Sequence, residues 1–164
     1  IRLTLAADLL HEELRELHAR YGFSKMILVA HSVGGLTSRS YLTRHIGEKD
    51  PSFIKVFVTL ATPWSGFGLA DASRKLPHKS IPVWLDLGTQ STFIQTTLAQ
   101  KLPRSISHYI FYGKSDQLCG DTALDERAAS CAVKSIGFDC DHNSILSSRK
   151  VFSQFNNVLD RELW

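Results

Sequence analysis

Long hydrophobic runs are missing from this chain of 164 residues. Its longest uninterrupted apolar stretch, Met26 to Ala30, falls far short of the roughly 20 residues that a transmembrane helix needs. No transmembrane segment is expected, while peripheral contact with a membrane surface stays open. Blocks of like charge are missing too: 19 Lys and Arg against 16 Asp and Glu give a net charge of +3 spread along the chain, so no nucleic-acid partner is expected. Cysteine is scarce. Cys119, Cys131 and Cys140 cannot all pair internally and do not have the spacing of a zinc motif. Reduced thiols or at most one bridge are expected, with no metal and no cofactor. There is no N-x-[ST] acceptor, no internal repeat and no low-complexity tract. Neither an initiator methionine nor a basic leader precedes Ile1, which predicts a chain processed or cut from something longer.

What is present is ordinary globular material, 43% hydrophobic and 21% charged, with 10 Gly and 5 Pro. That predicts one domain over residues 1–164, large enough to bury roughly two thirds of the surface its unfolded chain exposes.

Leu3, Ala6, Leu10, Leu14, Leu17 and Tyr21 recur at steps of three and four with charged residues between them, the stripe of an amphipathic helix ending near Gly22. The run Met26 to Ala30 reads as a strand covered on both faces. A helix from Leu36 to about Ile46, stopped by Gly47 and Pro51, and a second buried strand, Ile54 to Leu60, follow. Residues 62–105 are punctuated by Pro63, Gly66, Gly68, Pro77, Pro82 and Pro103, and read as an irregular or cap-like excursion with a short helix near 91–101. Then come a strand over His108 to Tyr112, a short helix over 122–130, a strand near Ala132 to Phe138 and a helical tail from Asn143. This alternation predicts an α/β fold of three layers, α/β/α, with a mostly parallel sheet.

The segment Ala30-His31-Ser32-Val33-Gly34-Gly35 sits between a strand and a helix. A nucleophile elbow of the G-x-S-x-G type needs a serine on a sharp turn there, with small residues two before and two after so that strand and helix approach; Ala30 and Gly34 are small. The plainer reading is a serine that caps a helix in a Gly-rich turn. A nucleophilic serine needs a base, and the base an orienting carboxylate. Asp116 follows the strand His108 to Tyr112, and His142 follows the strand near Ala132 to Phe138. The order Ser32, Asp116, His142 is the one this architecture uses. Asp121 and Asp125 remain open as the acid, and Asp116 could be a turn residue bonding its own backbone. His142 could equally be a loop histidine or part of a helix cap. His11 and His18 sit on the first helix without the spacing of a zinc helix, His45 lies in the helix after the serine, His78 in the excursion and His108 at a strand start. His31 is placed to shape the turn. Gly113-Lys114-Ser115 lacks the upstream Gly of a phosphate-binding loop, where His108 stands.

With Thr59-Leu60-Ala61-Thr62-Pro63-Trp64-Ser65-Gly66, Tyr112-Gly113-Lys114-Ser115-Asp116 and Asp141-His142-Asn143-Ser144-Ile145-Leu146 added to the serine segment, the chain resembles the C-terminal two thirds of an α/β-hydrolase of the lipase and esterase kind. The resemblance implies a truncated α/β-hydrolase fold lacking its N-terminal strands. It implies that Ser32 attacks an acyl carbonyl, His142 moves the proton and Asp116 holds the imidazole, with the backbone N–H of Val33 as one oxyanion donor. A second donor would come from a loop before the first helix seen here; in a fragment that lacks those strands, half the oxyanion hole would be absent and the sheet would expose an edge where they belong. The A-T-P-x-x-G segment resembles bacterial lipases and the deacylases of lipid-linked inositol. Trp64, Phe67, Trp84 and Phe93, with Leu85 and Ile94, are candidates to line a cleft for an acyl ester or lipid substrate, or simply to pack against the sheet. A non-catalytic relative that binds a ligand or partner, and an acyltransferase with the same three residues, are the rival readings.

Overall fold

The computed structural model describes residues 1–46, 53–73 and 81–164. Gly47, Pro51, Pro77 and His78 lie outside the described residues, as does the side chain of Asp121. Helix α1 (Leu3–Tyr21) has the expected extent but buries Leu3, Ala7 and Leu14, while Leu17 and Tyr21 of the stripe are exposed. It ends at Gly22, whose φ of 61° lets its amide reach the His18 carbonyl at 2.9 Å, a left-handed cap that glycine adopts without a Cβ clash.

Four strands, β1 (Met26–His31), β2 (Ile54–Leu60), β3 (Ser107–Gly113) and β4 (Lys134–Phe138), form one sheet in the order β1-β2-β3-β4, parallel at every pairing. Helix α2 (Val33–His45) links β1 to β2, and α7 (Arg149–Leu163) closes the chain. Because side chains alternate across a strand, Phe57 and Ile110 pack with α1 and α2 on one face. Val56, Val58, Tyr109 and Phe111 pack with Val151 and Val158 of α7 on the other. The three layers follow from that alternation.

Strands β2 and β3 are almost wholly buried, which is why they read as continuous apolar runs. Strand β1 departs from the expectation of cover on both faces. Among the described residues it lies at the edge of the sheet, beside β2, its residues are half-buried, and Val29 is 46% exposed.

Among its described residues the stretch 62–105 holds three short helices, α3 (Gly68–Ser73), α4 (Pro82–Leu87) and α5 (Thr92–Ala99), rather than one. The first two span six residues each, too short to show a helical period, and Pro82 opens α4 where a break is expected, since its missing N–H is no loss in a first turn. Ser91 caps α5 by accepting the Ile94 amide. The far end of α5 is held by the fully buried Arg39, whose guanidinium donates to the carbonyls of Thr97 at 3.1 Å and Gln100 at 3.0 Å; a cation belongs at this negative helix end.

The helix expected over 122–130 is split into a 3-10 turn, Gly120–Leu124, and α6 (Glu126–Ala129). Asp125 separates them because its side chain accepts the Arg127 amide as the cap of α6. The helical tail likewise breaks into a 3-10 turn, Ser144–Leu146, and α7, which Ser148 caps at Val151. Glu162 of α7 accepts hydrogen bonds from the hydroxyls of Ser107, at 2.7 Å, and Tyr109, fixing the last helix to β3. Cys131 and Cys140 are free thiols. Among the described residues no helix is long and apolar enough to cross a membrane.

Candidate active site

Ser32 joins β1 to α2 in a turn with φ 55° and ψ −132°. This is a positive φ for a residue with a Cβ, a conformation that costs on the order of 1–3 kcal/mol and persists only where its surroundings hold it. The Ser32 amide donates to Leu60 of the neighbouring strand at 2.8 Å, and its carbonyl accepts from Gly35 at 3.0 Å. The side chain makes no cap bond to the helix it opens. Its hydroxyl instead meets His142 Nε2 at 2.9 Å.

The steric demand of the turn falls on a different glycine from the one expected. A Cβ at Gly34 would sit 3.9 Å from that of Ala30, an ordinary contact, whereas one at Gly35 would lie 2.0 Å from Thr62 Oγ1 and 2.7 Å from Thr62 Cγ2. Thr62 follows Ala61, a second residue at positive φ, 48°. The close approach is therefore between α2 and the loop after β2.

His142 stands on the loop after β4, where Asp141 accepts the amides of Asn143 at 2.9 Å and Ser144 at 2.8 Å. Its Nδ1 lies 2.8 Å from Asp116 Oδ2. An ionised carboxylate only accepts, so Nδ1 carries the proton and Nε2 presents its lone pair to the Ser32 hydroxyl. Asp116 comes from the turn after β3, and its other oxygen accepts the amides of Leu118 and Cys119, both at 2.9 Å. Burial pushes the Asp116 carboxyl up, but these two amides and the imidazole outweigh it and hold the group below the usual carboxylate range. Asp116 is thus both a turn residue and the partner of His142.

Asp125 is engaged elsewhere. It accepts from Arg127 Nη2 at 2.6 Å and from the Ser65 hydroxyl at 2.9 Å, and these bonds, Arg127 foremost, bring its pKa down to about 2.

Two further side chains touch His142. His31 Nε2 lies 2.8 Å from the His142 carbonyl, with the two rings 4.7 Å apart. Cys119 Sγ lies 3.5 Å from His142 Nδ1 and donates to the Ala61 carbonyl at 3.2 Å. Burial, with Asp116 beside it, pushes the Cys119 thiol up to about 12, so it is no thiolate nucleophile. Sequence spacing marks neither contact, since one joins the end of β1 and the other the turn after β3 to the loop after β4.

Of the aromatic candidates, Phe67 and Trp84 line a largely apolar cavity of about 440 Å³ together with Ala70, Leu87, Gln117 and Leu118. Trp64 and Phe93 do not. Trp64 is wholly buried against Arg39 and His108, and Phe93 packs in the core from α5, because the loop after β2 turns inward toward α2. Gln117 and Leu118 also border a second, more polar cavity of about 710 Å³, whose wall includes His142, Asp141 and Asn143. The residue pair following Asp116 thus stands between an apolar cavity and the imidazole.

Over residues 3–136 the sequence matches the family described as "Alpha/beta hydrolase of unknown function (DUF915)". The chain belongs to this alpha/beta hydrolase family.

The fold is shared with solved structures, two of them described as lipases. The chain is similar to the mature form of the lipase BlEst2 from Bacillus licheniformis, with a TM-score of 0.75 at 22% identity over 96% of this chain and 74% of that one. It is similar to the product of gene lin2722 from Listeria innocua, at 0.69 and 17% over 100% and 68%. Against the monoacylglycerol lipase of Paleococcus ferrophilus the score is 0.62 at 12% identity over 98% and 74%. At these identities the likeness is one of fold, and the chain is truncated relative to each of them. No curated protein matches it in sequence.

Proposed function

We propose that this alpha/beta hydrolase is a serine esterase of the lipase kind, cleaving carboxylic esters through an acyl-enzyme on Ser32. The observation that carries the reading is the unbroken chain of hydrogen bonds from Ser32 Oγ to His142 Nε2, 2.9 Å, and from His142 Nδ1 to Asp116 Oδ2, 2.8 Å. Fold alone would not license it.

In the first half-reaction Ser32 Oγ attacks the ester carbonyl while His142 Nε2 takes its proton. The imidazolium formed is held by Asp116, whose remaining lone pairs are satisfied by two backbone amides, so the carboxylate stays ionised. The tetrahedral oxyanion receives the backbone N–H of Val33, the residue after the nucleophile at the N-terminus of α2. His142 then protonates the departing alcohol oxygen. In the second half-reaction water attacks the acyl carbon while His142 takes its proton, the bond to Ser32 Oγ breaks, and His142 returns the proton to Oγ as the carboxylic acid leaves. No metal or cofactor takes part.

The acyl chain is assigned to the apolar cavity lined by Phe67, Trp84, Leu87 and Leu118, and the leaving alcohol to the polar cavity beside His142. Phe67, Gly68, Ala70, Trp84 and Leu87 of the excursion supply most of the wall of the acyl cavity. The substrate is therefore an ester with an aliphatic acyl chain and a polar alcohol.

The test is hydrolysis of a series of p-nitrophenyl esters by the wild-type chain, by Ser32→Ala and by His142→Ala. Turnover of aliphatic esters that vanishes in both variants, while both keep the wild-type circular dichroism spectrum, supports the reading. Turnover that survives in Ser32→Ala defeats it, and a well-folded wild-type chain with no turnover favours a non-catalytic relative. Product formed on an added alcohol faster than free acid appears would point to an acyltransferase instead.

A further inference from the structure

Three ligating atoms meet on the side of His142 that faces away from Ser32. Asp116 Oδ2 lies 2.8 Å and Cys119 Sγ 3.5 Å from the same His142 Nδ1, and all three atoms fall within 4.8 Å of one another. Asp116 and Cys119 come from the turn after β3, His142 from the loop after β4. A tight set of carboxylate, thiol and imidazole is chemically unlike the hydrogen-bonded chain that the proposed reaction requires. The reaction uses the carboxylate and the imidazole and has no step for the thiol.

The spacing suits a tetrahedral thiophilic cation. Zinc binds thiolate sulfur at about 2.3 Å and imidazole nitrogen at about 2.0–2.1 Å. At a tetrahedral angle those bond lengths hold sulfur and nitrogen about 3.6 Å apart, close to the 3.5 Å found. Carboxylate oxygen and imidazole nitrogen would have to part from 2.8 Å to about 3.4 Å, a shift of a few tenths of an ångström for each side chain. Charge agrees as well. Asp116 and Cys119 are 4% and 2% exposed, and burying a charged assembly there would be costly. One divalent cation, one carboxylate and one thiolate sum to zero.

We propose that Asp116, Cys119 and His142 form an inhibitory site for a thiophilic divalent cation such as Zn²⁺ or Cd²⁺, which blocks the site by taking the place of the Nδ1 proton. The proposal rests on the reading of Ser32 as nucleophile and His142 as its base. On binding, Sγ, Oδ2 and Nδ1 become ligands and a water completes the tetrahedron. The thiol proton leaves to solvent and the imidazole proton moves from Nδ1 to Nε2, so one proton is released for each cation bound and nothing is oxidised or reduced. With Nε2 protonated, His142 no longer accepts from Ser32, and the hydroxyl loses its base. Metal occupancy and proton transfer are mutually exclusive because an imidazole metallated at Nδ1 carries its one proton on Nε2, the nitrogen that must accept from Ser32. The cavity of about 710 Å³ that His142 borders provides the approach, and the burial of the other two ligands makes onset slow.

The experiment titrates the whole chain, carrying Cys131→Ser and Cys140→Ser so that Cys119 is its sole thiol, with Cd²⁺. The thiolate-to-cadmium charge-transfer absorption is followed beside the rate of Ser32 labelling by a fluorophosphonate. The expected result is one Cd²⁺ per chain, with labelling slowed by about 10²-fold or more at saturation, the typical worth of a positioned base, and restored by a chelator. Adding Cys119→Ser, which keeps a hydroxyl donor toward Ala61, or Cys119→Ala removes the band. In either variant the labelling rate with Cd²⁺ equals the rate without it. No charge-transfer band in the chain whose sole thiol is Cys119 overturns the site, and a Cys119-dependent band without slowed labelling overturns the inhibition. A folded chain that never reacts with the fluorophosphonate overturns the esterase reading and the inhibitory role with it, while the Cys119-dependent band still reports whether the cation binds.

Discussion

His31 donates its Nε2–H to the main-chain carbonyl of His142 across 2.8 Å. The residue immediately before Ser32 thereby clamps the loop whose imidazole meets the Ser32 hydroxyl. Since the acceptor is a carbonyl, His31 must be a donor at Nε2 whatever its charge. Misplacing a reacting pair by about 1 Å can cost 10²-fold in rate. His31→Phe, which keeps the ring but loses the donor, is expected to lower kcat by about 10–10²-fold with little change in KM. His31→Gln, which sets an amide N–H at similar reach, is expected to recover most of the loss. Steady-state kinetics normalised to titrated Ser32 sites separate this from a loss of folded protein, and equal kcat in His31→Phe and wild type would show that the clamp has no such role.

Gly35 is the glycine that the turn cannot spare. A Cβ there would lie 2.0 Å from Thr62 Oγ1, and Thr62 is buried, so Gly35→Ala is expected to destabilise by about 1–3 kcal/mol, as overpacking does. Gly34→Ala meets only an ordinary contact at 3.9 Å and sits in a helix, where alanine is favoured over glycine by about 1 kcal/mol. Urea unfolding of both variants checks the contrast. Equal destabilisation at the two positions would count against it, and adding Thr62→Ala is expected to return part of the Gly35→Ala loss.

Asp125 gives a pH-dependent signature outside the site. Its pKa is depressed from 3.8 to about 2 by the Arg127 guanidinium, with help from Ser65. A group depressed in the folded state contributes stability above its unfolded pKa and loses it as pH falls through the folded value. Asp125→Asn is therefore expected to be less stable than wild type at neutral pH, by about 1 kcal/mol once solvent screening of the Arg127 pair is allowed for. The gap should close between about pH 4 and 2. A constant gap across that range would mean that the ion pair is not its source.

The acyl cavity predicts a chain-length rule. Each buried methylene is worth about 0.8 kcal/mol, so kcat/KM is expected to rise about fourfold per added methylene until the cavity of about 440 Å³ is full. Trp84→Ala enlarges it and should move the optimum to longer chains. A length series with the same optimum in both proteins would remove Trp84 from the acyl wall.

Much of the fold is written in local pattern. The stripe from Leu3 to Tyr21 and the run Ile54 to Leu60 coincide with α1 and β2, because a long amphipathic period and a short apolar run have few alternative structures. Ser32, Asp116 and His142 are marked by their places after strands, and their side chains meet as neighbours. Contacts made between loops leave no such pattern. The clamp from His31, the approach of Cys119 to His142 and the inward turn of Trp64 depend on where β2, β3 and β4 end relative to one another. Helices α3 and α4 are shorter than two turns, below the length at which periodicity speaks. The edge position of β1 is not marked in the run Met26 to Ala30 itself, which reads the same whether one or two neighbours flank it; only the resemblance, with its missing N-terminal strands, implies an exposed edge.

The central claim, an activated serine at position 32, is tested most directly by intact-mass analysis of the purified chain after treatment with a fluorophosphonate, beside Ser32→Ala and His142→Ala. The account predicts a single adduct on the wild-type chain, none on Ser32→Ala, and labelling slowed by about 10²–10⁴-fold in His142→Ala, the range attributed to a general base. A folded wild-type chain that stays unmodified, or an adduct that persists in Ser32→Ala, would contradict it.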